Sequence, residues 1–252
     1  FNAKFAKDDD LCALFPDATS CGGGVEKMPE TEAEIIAASS YMRIEASAGG
    51  TSEYTTGTMT ADDTITLHAA AYNSSNVFLG NVTVTWAIQN AKGVVAVGPS
   101  KSTTFDANVT GTEIVDMSVS TFNDSTGNIT INPGVQASIK INDNSGSVGV
   151  ELNTNTLNAD QTDTLYSSSY DGDGNWIADV ASDWTFVNDK GSFNASVNSV
   201  SAAASVTFNA DVTTSAADHS VMRASFGGHT DDTGDVNSGF QITAGAHANI
   251  KI

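Results

Sequence analysis

The sequence predicts an all-β fold made of two tandem β-sandwiches behind a short N-terminal extension, and three observations support this prediction. The chain has 252 residues, enough for two sandwiches of about 100 residues each and a remainder. Lysine and arginine total only 10, so long salt-bridged helices are not favoured. The third observation is an internal repeat, which indicates the architecture before any single element is assigned.

The repeat joins two segments of the chain at a constant separation of 98 positions, without a gap. Two later blocks follow in the same order at separations of 103 and 111 positions. Because the separation grows only between matched blocks, the insertions fall in loops while the strands are retained. The ungapped block pairs Ala61 with Ala159, Tyr72 with Tyr170, Trp86 with Trp184 and Lys92 with Lys190.

The last matched block gives the predicted domain boundaries. Residues 137–141 align with residues 248–252, and we expect each unit to end on this strand. The alternating Val148, Val150 and Leu152 then predict the first strand of the second unit. These predictions divide the chain into an N-terminal extension at 1–39, a first sandwich at 40–141 and a second sandwich at 142–252.

Apolar and polar residues alternate around the matched tryptophans. Val82, Val84 and Trp86 alternate with threonines, which is the pattern of a strand with one buried face. The second unit repeats the pattern around Val180 and Trp184, with a more polar middle. We expect four aromatic residues to anchor the cores: Tyr72, Trp86, Tyr170 and Trp184.

A turn precedes this strand in both units. In the second unit it is Asp171-Gly172-Asp173-Gly174-Asn175, made of residues that tolerate left-handed backbone geometry. The Asp-x-Asp-x-Asn spacing also occurs in calcium loops, but Trp176 stands where such a loop needs glycine, and no glutamate follows at its twelfth position. We interpret the segment as a hairpin turn, with calcium binding as the alternative.

These residues resemble the bacterial immunoglobulin-like repeat families, including the repeats of invasin- and intimin-type adhesins. The resemblance covers both units and rests on Ala-Asp-x-x-x-Thr-Leu ahead of Tyr170, on the 171–175 turn, and on Asp179-Val180 before Trp184. It implies immunoglobulin-like sandwiches in an extracellular stalk, spacer, adhesive or filament-forming protein. The first unit departs from the pattern, because its turn, Asn73-Ser74-Ser75-Asn76, lacks Asp-x-x-Gly.

The N-terminal extension contains both cysteines of the chain. Cys12 and Cys21 lie in a segment with glycine and proline, and their close spacing favours a local disulfide in an oxidising compartment. Zinc binding by the pair is less favoured, because the segment has no histidine or second cysteine pair to complete a tetrahedral site.

Five apolar residues of the extension have too little surrounding chain to bury them. They must pack on a sandwich, pack on another copy or remain disordered. We expect docking on another copy, where strand addition to a neighbour's edge would bury them. Further along, Thr31-Glu32-Ala33-Glu34 has the spacing of a capping box and predicts a short helix. The candidate assembly residues are Phe1, Phe5, Leu11, Leu14 and Phe15.

Charge and missing motifs argue against several functions. The formal net charge of −20 repels nucleic-acid phosphates and anionic headgroups, so we expect binding to neither. No apolar run reaches the roughly 18 residues of a membrane span, so we expect no membrane insertion. No signal peptide is recognisable, so we interpret the chain as already processed. Hydrolase, metalloprotease and phosphate-loop motifs are missing, so we expect a non-enzyme.

Histidines and aspartates late in the second unit are weak candidate metal ligands. The histidines are His219, His229 and His247. We favour instead a long polar hairpin loop across residues 227–234. The candidate carboxylates are Asp231, Asp232 and Asp235.

Trp176 follows the 171–175 turn and aligns with Phe78 of the first unit. Packing is the favoured role, and stacking on a sugar or a neighbouring domain makes Trp176 a candidate ligand contact. The whole sequence predicts an extracellular or cell-surface structural subunit that associates with itself or with other surface proteins. The alternatives are an adhesin or glycan-binding module, and a non-catalytic appendage of a larger enzyme or phage structure.

Overall fold

The computed structural model describes residues 29, 31–50 and 52–245 of the chain. Cys12 and Cys21 lie outside these residues, so their disulfide stays a prediction. The same holds for His247 and for the block at 248–252. The five apolar candidates of the extension, Phe1, Phe5, Leu11, Leu14 and Phe15, also lie outside.

A short helix, α1 (Glu32–Ala38), leads into the first strand. The Thr31 hydroxyl accepts a hydrogen bond from the Glu34 backbone N–H at 3.3 Å, and the Glu34 carboxylate accepts one from the Thr31 N–H at 3.0 Å. The predicted capping-box helix is therefore confirmed, and its Ile35 packs against the first core. Within the described part of the chain, no helix is long and apolar enough to cross a membrane.

The first sandwich, sandwich 1, contains the strands β1 (Tyr41–Glu45), β2 (Gly57–Thr60), β3 (Thr64–Tyr72), β4 (Phe78–Asn81), β5 (Thr85–Ile88), β6 (Gly93–Val95), β7 (Ser102–Ala107), β8 (Gly111–Glu113), β9 (Val115–Val119), β10 (Phe122–Ser125) and β11 (Ile129–Asn132). One sheet has the order β1-β3-β7-β6, with β4 also paired to β3. It faces two smaller sheets, β10-β9-β5 and β2-β11-β8, in which β2 and β11 are parallel.

The second sandwich, sandwich 2, repeats this arrangement with β12 (Gln136–Asn142), η1 (Gly146–Val148), β13 (Asn155–Asn158), β14 (Thr162–Asp171), β15 (Trp176–Asp179), β16 (Ser182–Asn188), β17 (Gly191–Phe193), β18 (Ser199–Ala203), β19 (Ser205–Ala210), β20 (Val221–Phe226), β21 (His229–Asp232) and β22 (Phe240–Thr243). One sheet has the order β12-β14-β19-β17, with β15 also paired to β14. The parallel pair β13-β22 and the sheet β18-β16-β20-β21 complete it.

Each sandwich has its own hydrophobic core with a tryptophan in it. Trp86 is 7% exposed and Trp184 is 0% exposed. Both indole N–H groups donate to a backbone carbonyl of a neighbouring paired segment, to Ser100 at 3.1 Å and to Ala203 at 2.8 Å. The prediction of an all-β chain with two tandem immunoglobulin-like sandwiches is confirmed.

The predicted boundary after Ile141 is wrong. Residues 137–141 lie in β12, which pairs with β14, and Ile139 and Ile141 are buried in the core of sandwich 2. The change of core falls at residues 133–135, between β11 and β12. A repeat gives the length of the unit but not its starting point, so the matched block at residues 137–141 fits the end of one unit and the start of the next equally well.

The strand predicted from Val148, Val150 and Leu152 is not formed. Val148 ends the short η1 helix, and the side chains of Val148 and Val150 are 78% and 65% exposed. The segment reaches the outer edge of β12 through a single β-bridge, between Asn142 and Glu151, and through the Leu152 N–H, which donates to the Ile141 carbonyl at 2.8 Å.

The hairpin predicted at residues 227–234 exists, but its long loop does not. Gly227 and Gly228 have φ values of 59° and 84°, which suits a tight two-residue turn between paired strands. His229 and the residues after it therefore continue as β21.

Candidate functional site: the junction between the sandwiches

The two sandwiches meet end to end where the linker at residues 133–135 joins β11 to β12. The lower end of sandwich 1 consists of this linker and the loop at residues 108–110. The upper end of sandwich 2 consists of the turn at residues 171–175, with Tyr170 before it and Trp176 after it. Hydrogen bonds cross directly between these two surfaces.

Asp171 organises the turn and holds the linker. Its carboxylate is buried, and one oxygen accepts the backbone N–H groups of Asp173 at 3.1 Å and Asn175 at 2.8 Å. The other oxygen accepts the N–H of Gly134 in the linker at 2.8 Å. Burial opposes ionisation, but the hydrogen bonds from Gly134, Asn175 and Asp173 prevail and lower the pKa of Asp171. The turn therefore carries a stable negative charge that is fully hydrogen-bonded.

Asn175 bridges the two sandwiches through both ends of its amide. Its Nδ2 donates to the Asn108 carbonyl at 2.9 Å, and its Oδ1 accepts the Thr110 N–H at 3.1 Å. The same Nδ2 also donates to Asp171 at 2.9 Å, which fixes the rotamer of the amide. Asp171 and Asn175 together form what we call the clamp.

The linker is also held from the side of sandwich 1. Asp62 accepts the Val135 N–H at 2.6 Å. A Cβ atom on Gly134 would lie 2.3 Å from an oxygen of the same carboxylate, so any larger residue would displace it. Adjacent linker N–H groups thus bind carboxylates of opposite sandwiches, which leaves the linker little freedom to rotate.

The predicted hairpin turn at residues 171–175 is confirmed by the pairing of β14 with β15. Both Asp171 oxygens accept N–H groups of the chain, so protein donors already fill the hydrogen-bonding positions of this carboxylate. Within the described residues, no group of three or more His, Cys, Asp or Glu side chains could hold a metal ion.

A cleft of about 570 Å³ opens beside the clamp. Its walls come from both sandwiches, with Ile131, Pro133 and Thr110 facing Tyr170 and Trp176. Trp176, the candidate ligand contact, therefore lies at the junction with its side chain partly exposed. Its indole Nε1 is buried there without a hydrogen-bond partner.

Tyr72 and Tyr170 occupy matched positions but different environments. Tyr72 is 3% exposed, and its hydroxyl is hydrogen-bonded to the buried Glu45. The prediction that Tyr170 anchors a core is wrong, because its side chain is partly exposed and lines the cleft. Its hydroxyl accepts the Asn142 Nδ2 at 2.9 Å, and Asn142 occupies the position of Glu45.

The three weak metal candidates point to different partners. Asp231 accepts the Ile141 N–H at 2.7 Å. Asp232 makes a two-pronged ion pair with Arg223, with both contacts at 2.7 Å, and Asp235 accepts the Asn237 N–H at 2.7 Å in a turn. Each carboxylate has a local structural role, and the three do not form a shared site.

Sequence reasoning missed Asp124 and named Asp231 only as a weak metal candidate, yet each sandwich uses its carboxylate in the same way. Asp124 accepts the N–H of Ile44 in β1 at 2.7 Å, just as Asp231 accepts that of Ile141 in β12. Both first strands lie at the edge of their sheet, so the carboxylate covers an N–H that another strand could otherwise bind. No local motif marks these aspartates, because their partners are 80 and 90 residues away.

Replacing Asp231 by asparagine is expected to change how stability depends on pH. Burial, with Glu151 and Asp232 nearby, raises the pKa of Asp231 from 3.8 to about 6. The folded state therefore binds this proton more tightly than the unfolded chain, so wild-type stability falls as pH rises from about 4 through 6. The asparagine variant keeps an acceptor for Ile141 and lacks this loss, so its thermal midpoint should exceed the wild-type midpoint above pH 6.

The matched control is Asp235→Asn. Hydrogen bonds from Asn237 and Ser238 lower the pKa of Asp235, so its contribution has the opposite sign and disappears only as the pH falls below the usual aspartate range. Melts at pH 4, 5, 6, 7 and 8 separate the two variants. A midpoint for Asp231→Asn that stays below the wild-type value at pH 7 and 8 would contradict the account.

No protein-family model matches the chain, and no curated protein matches it. Among solved structures, the surface-layer protein SbsC, domains 1–6, is similar over 83% of this chain and 28% of its own, at 16% identity and a TM-score of 0.29. The Escherichia coli adhesin FdeC matches 81% of this chain and 64% of its own, at 12% identity and 0.32. The D0-D1 domain of intimin matches 82% and 96%, at 14% identity and 0.27. TM-scores this low carry no argument about function.

Proposed function

We propose that the chain is an extracellular structural protein, a cell-surface or filament-forming subunit whose immunoglobulin-like sandwiches act as stalk and assembly modules. In this proposal the protein is not an enzyme, and its partners are further copies or other surface proteins. The observation that carries the proposal is the clamp at the junction.

The clamp supports a structural role because it fixes the orientation of one sandwich relative to the other through the chain's own hydrogen bonds. Sandwiches joined by a short linker move relative to one another unless specific contacts prevent it. Here Asp171 and Asn175 hold the loop at residues 108–110 and the linker at 133–135 through partly buried hydrogen bonds. A pair held in this way keeps a constant length and a constant relative orientation, which a stalk or lattice subunit requires.

Immunogold labelling of the cells that produce the protein tests this proposal. Antibodies raised against the chain should label intact, unpermeabilised cells or fibres shed from them. Labelling that appears only after permeabilisation would overturn the extracellular assignment.

A glycan-binding module is the second candidate, and the cleft is the observation that favours it. Tyr170 and Trp176 present partly exposed rings on one wall of the cleft, and aromatic faces of this kind stack on sugar rings.

A glycan array with the full chain separates the two candidates. Trp176→Ala should abolish any bound signal. Trp176→Phe is the matched control, since sandwich 1 has Phe78 at this position, and it should keep the fold and part of the binding. If the wild-type chain binds no glycan on the array, the glycan-binding candidate is overturned and the structural proposal remains.

A further inference from the structure

The lower ends of the two sandwiches are built alike. In sandwich 1, the Asn108 and Val109 N–H groups both donate to the Lys92 carbonyl at 3.0 Å. In sandwich 2, the corresponding bonds run from residues 211 and 212 to the carbonyl of residue 190, at 3.3 and 3.1 Å. The loop at residues 211–213 therefore has the backbone arrangement of the loop that the clamp holds in sandwich 1.

The segments after the last strand also correspond. The Asn132 carbonyl accepts the Ala61 N–H at 2.9 Å, and the Thr243 carbonyl accepts the Ala159 N–H at 2.8 Å. Gly245 lies over Asp160 and the Ala159 carbonyl, much as Gly134 lies over Asp62. The lower end of sandwich 2 thus presents the same kind of surface that sandwich 1 uses at the junction.

Among the residues that the structure describes, none covers this second lower end. Residues 211–213 are all exposed, whereas Asn108 and Thr110 are partly buried against the clamp. Val212 is 55% exposed, and its counterpart Val109 is 42% exposed. A surface that the clamp contacts in sandwich 1 therefore has no such contact in sandwich 2 from residues 29, 31–50 and 52–245.

Within the described part of the chain, the upper end of sandwich 1 is the matching exposed surface. Asn73 builds its turn as Asp171 does, since its Oδ1 accepts the N–H groups of Ser75 at 2.9 Å and Val77 at 3.0 Å. Val77 takes the position of Asn175 and is 46% exposed. An end that docked here would bring Val77 beside Val212, so that an apolar contact would replace the amide bridge of the clamp.

We propose that the lower end of sandwich 2 docks on the upper end of sandwich 1 of a second copy, through the surfaces at Val212 and Val77. The inference rests on the proposed function and names its partner, a further copy of this chain. Because the two surfaces differ, the contact is heterologous and generates head-to-tail chains rather than closed dimers. Docking repeats the geometry of the junction, without a covalent linker and with fewer hydrogen bonds, so the association is reversible.

Sedimentation velocity of the full chain from about 1 µM to about 1 mM covers the range expected for a weak interface. The wild-type average mass should rise beyond the dimer as concentration increases. Val77→Asp and Val212→Asp should each weaken association about tenfold or more, since each places a charge in the contact. Val150→Asp adds the same charge at a 65% exposed valine outside both free ends, and it should behave as wild type.

Mixing the two variants gives the sharpest result. The Val77→Asp chain keeps its lower end and the Val212→Asp chain keeps its upper end, so an equimolar mixture should form dimers and stop there. A wild-type chain that stays monomeric throughout overturns the inference, and cell labelling still tests the proposed function independently. If the Val77→Asp and Val212→Asp chains associate as strongly as the wild type, the inference is also overturned, because self-association would then use another surface.

Discussion

Replacing Asp171 by alanine is expected to free the two sandwiches from one another and to destabilise sandwich 2 by about 3 kcal/mol, because hydrogen bonds to a buried carboxylate are lost together. The variant removes the acceptor for Gly134, Asp173 and Asn175 in one step. Nitrogen-15 relaxation of the amides should show one rotational correlation time in the wild type and two shorter ones in the variant.

Asp171→Asn separates the clamp from the turn. An asparagine Oδ1 can accept both turn N–H groups, as Asn73 does in sandwich 1. Its Nδ2 is a donor and cannot accept the Gly134 N–H. We therefore expect a smaller loss of stability, about 1–2 kcal/mol, together with the same loosening of the sandwiches. A single long correlation time in both variants would show that the clamp does not set the orientation.

Replacing Trp184 by alanine is expected to cost about 3–5 kcal/mol, the usual range for an aromatic removed from a core. The indole is fully buried, and its ring packs edge-on against Phe193 with centroids 6.4 Å apart. Its loss also leaves the Ala203 carbonyl without the bond from Nε1. Hydrogen exchange should report the loss in sandwich 2 amides and leave those of sandwich 1 near their wild-type protection.

Two variants control this experiment. Trp86→Ala should produce the reverse pattern, with sandwich 1 losing its protection. Trp184→Phe keeps most of the ring but removes the N–H donor, so its cost should lie between those of wild type and alanine. Equal loss of protection in both sandwiches for either alanine variant would mean that the chain unfolds as one unit, although each sandwich has its own core.

The sequence by itself determined the fold class and the repeat. The alternation around Trp86 and Trp184 placed both tryptophans on buried faces, because a strand turns its side chains to opposite sides with period two. The capping box at Thr31 and the hairpin turn at residues 171–175 were also readable, since both depend on residues close together in the chain.

Only the tertiary structure decided where each repeat unit begins and which residues meet at the junction between the sandwiches. β12 belongs to sandwich 2 because it pairs with β14, and neither its own sequence nor the repeat period records that partner. The clamp joins Asn175 to a loop 65 and 67 residues earlier, and Asp231 meets Ile141 across 90 residues. Contacts of this kind depend on how sheets stack and which strands become neighbours. For this reason Tyr170 and Trp176, matched in sequence to Tyr72 and Phe78, came to line a cleft between sandwiches.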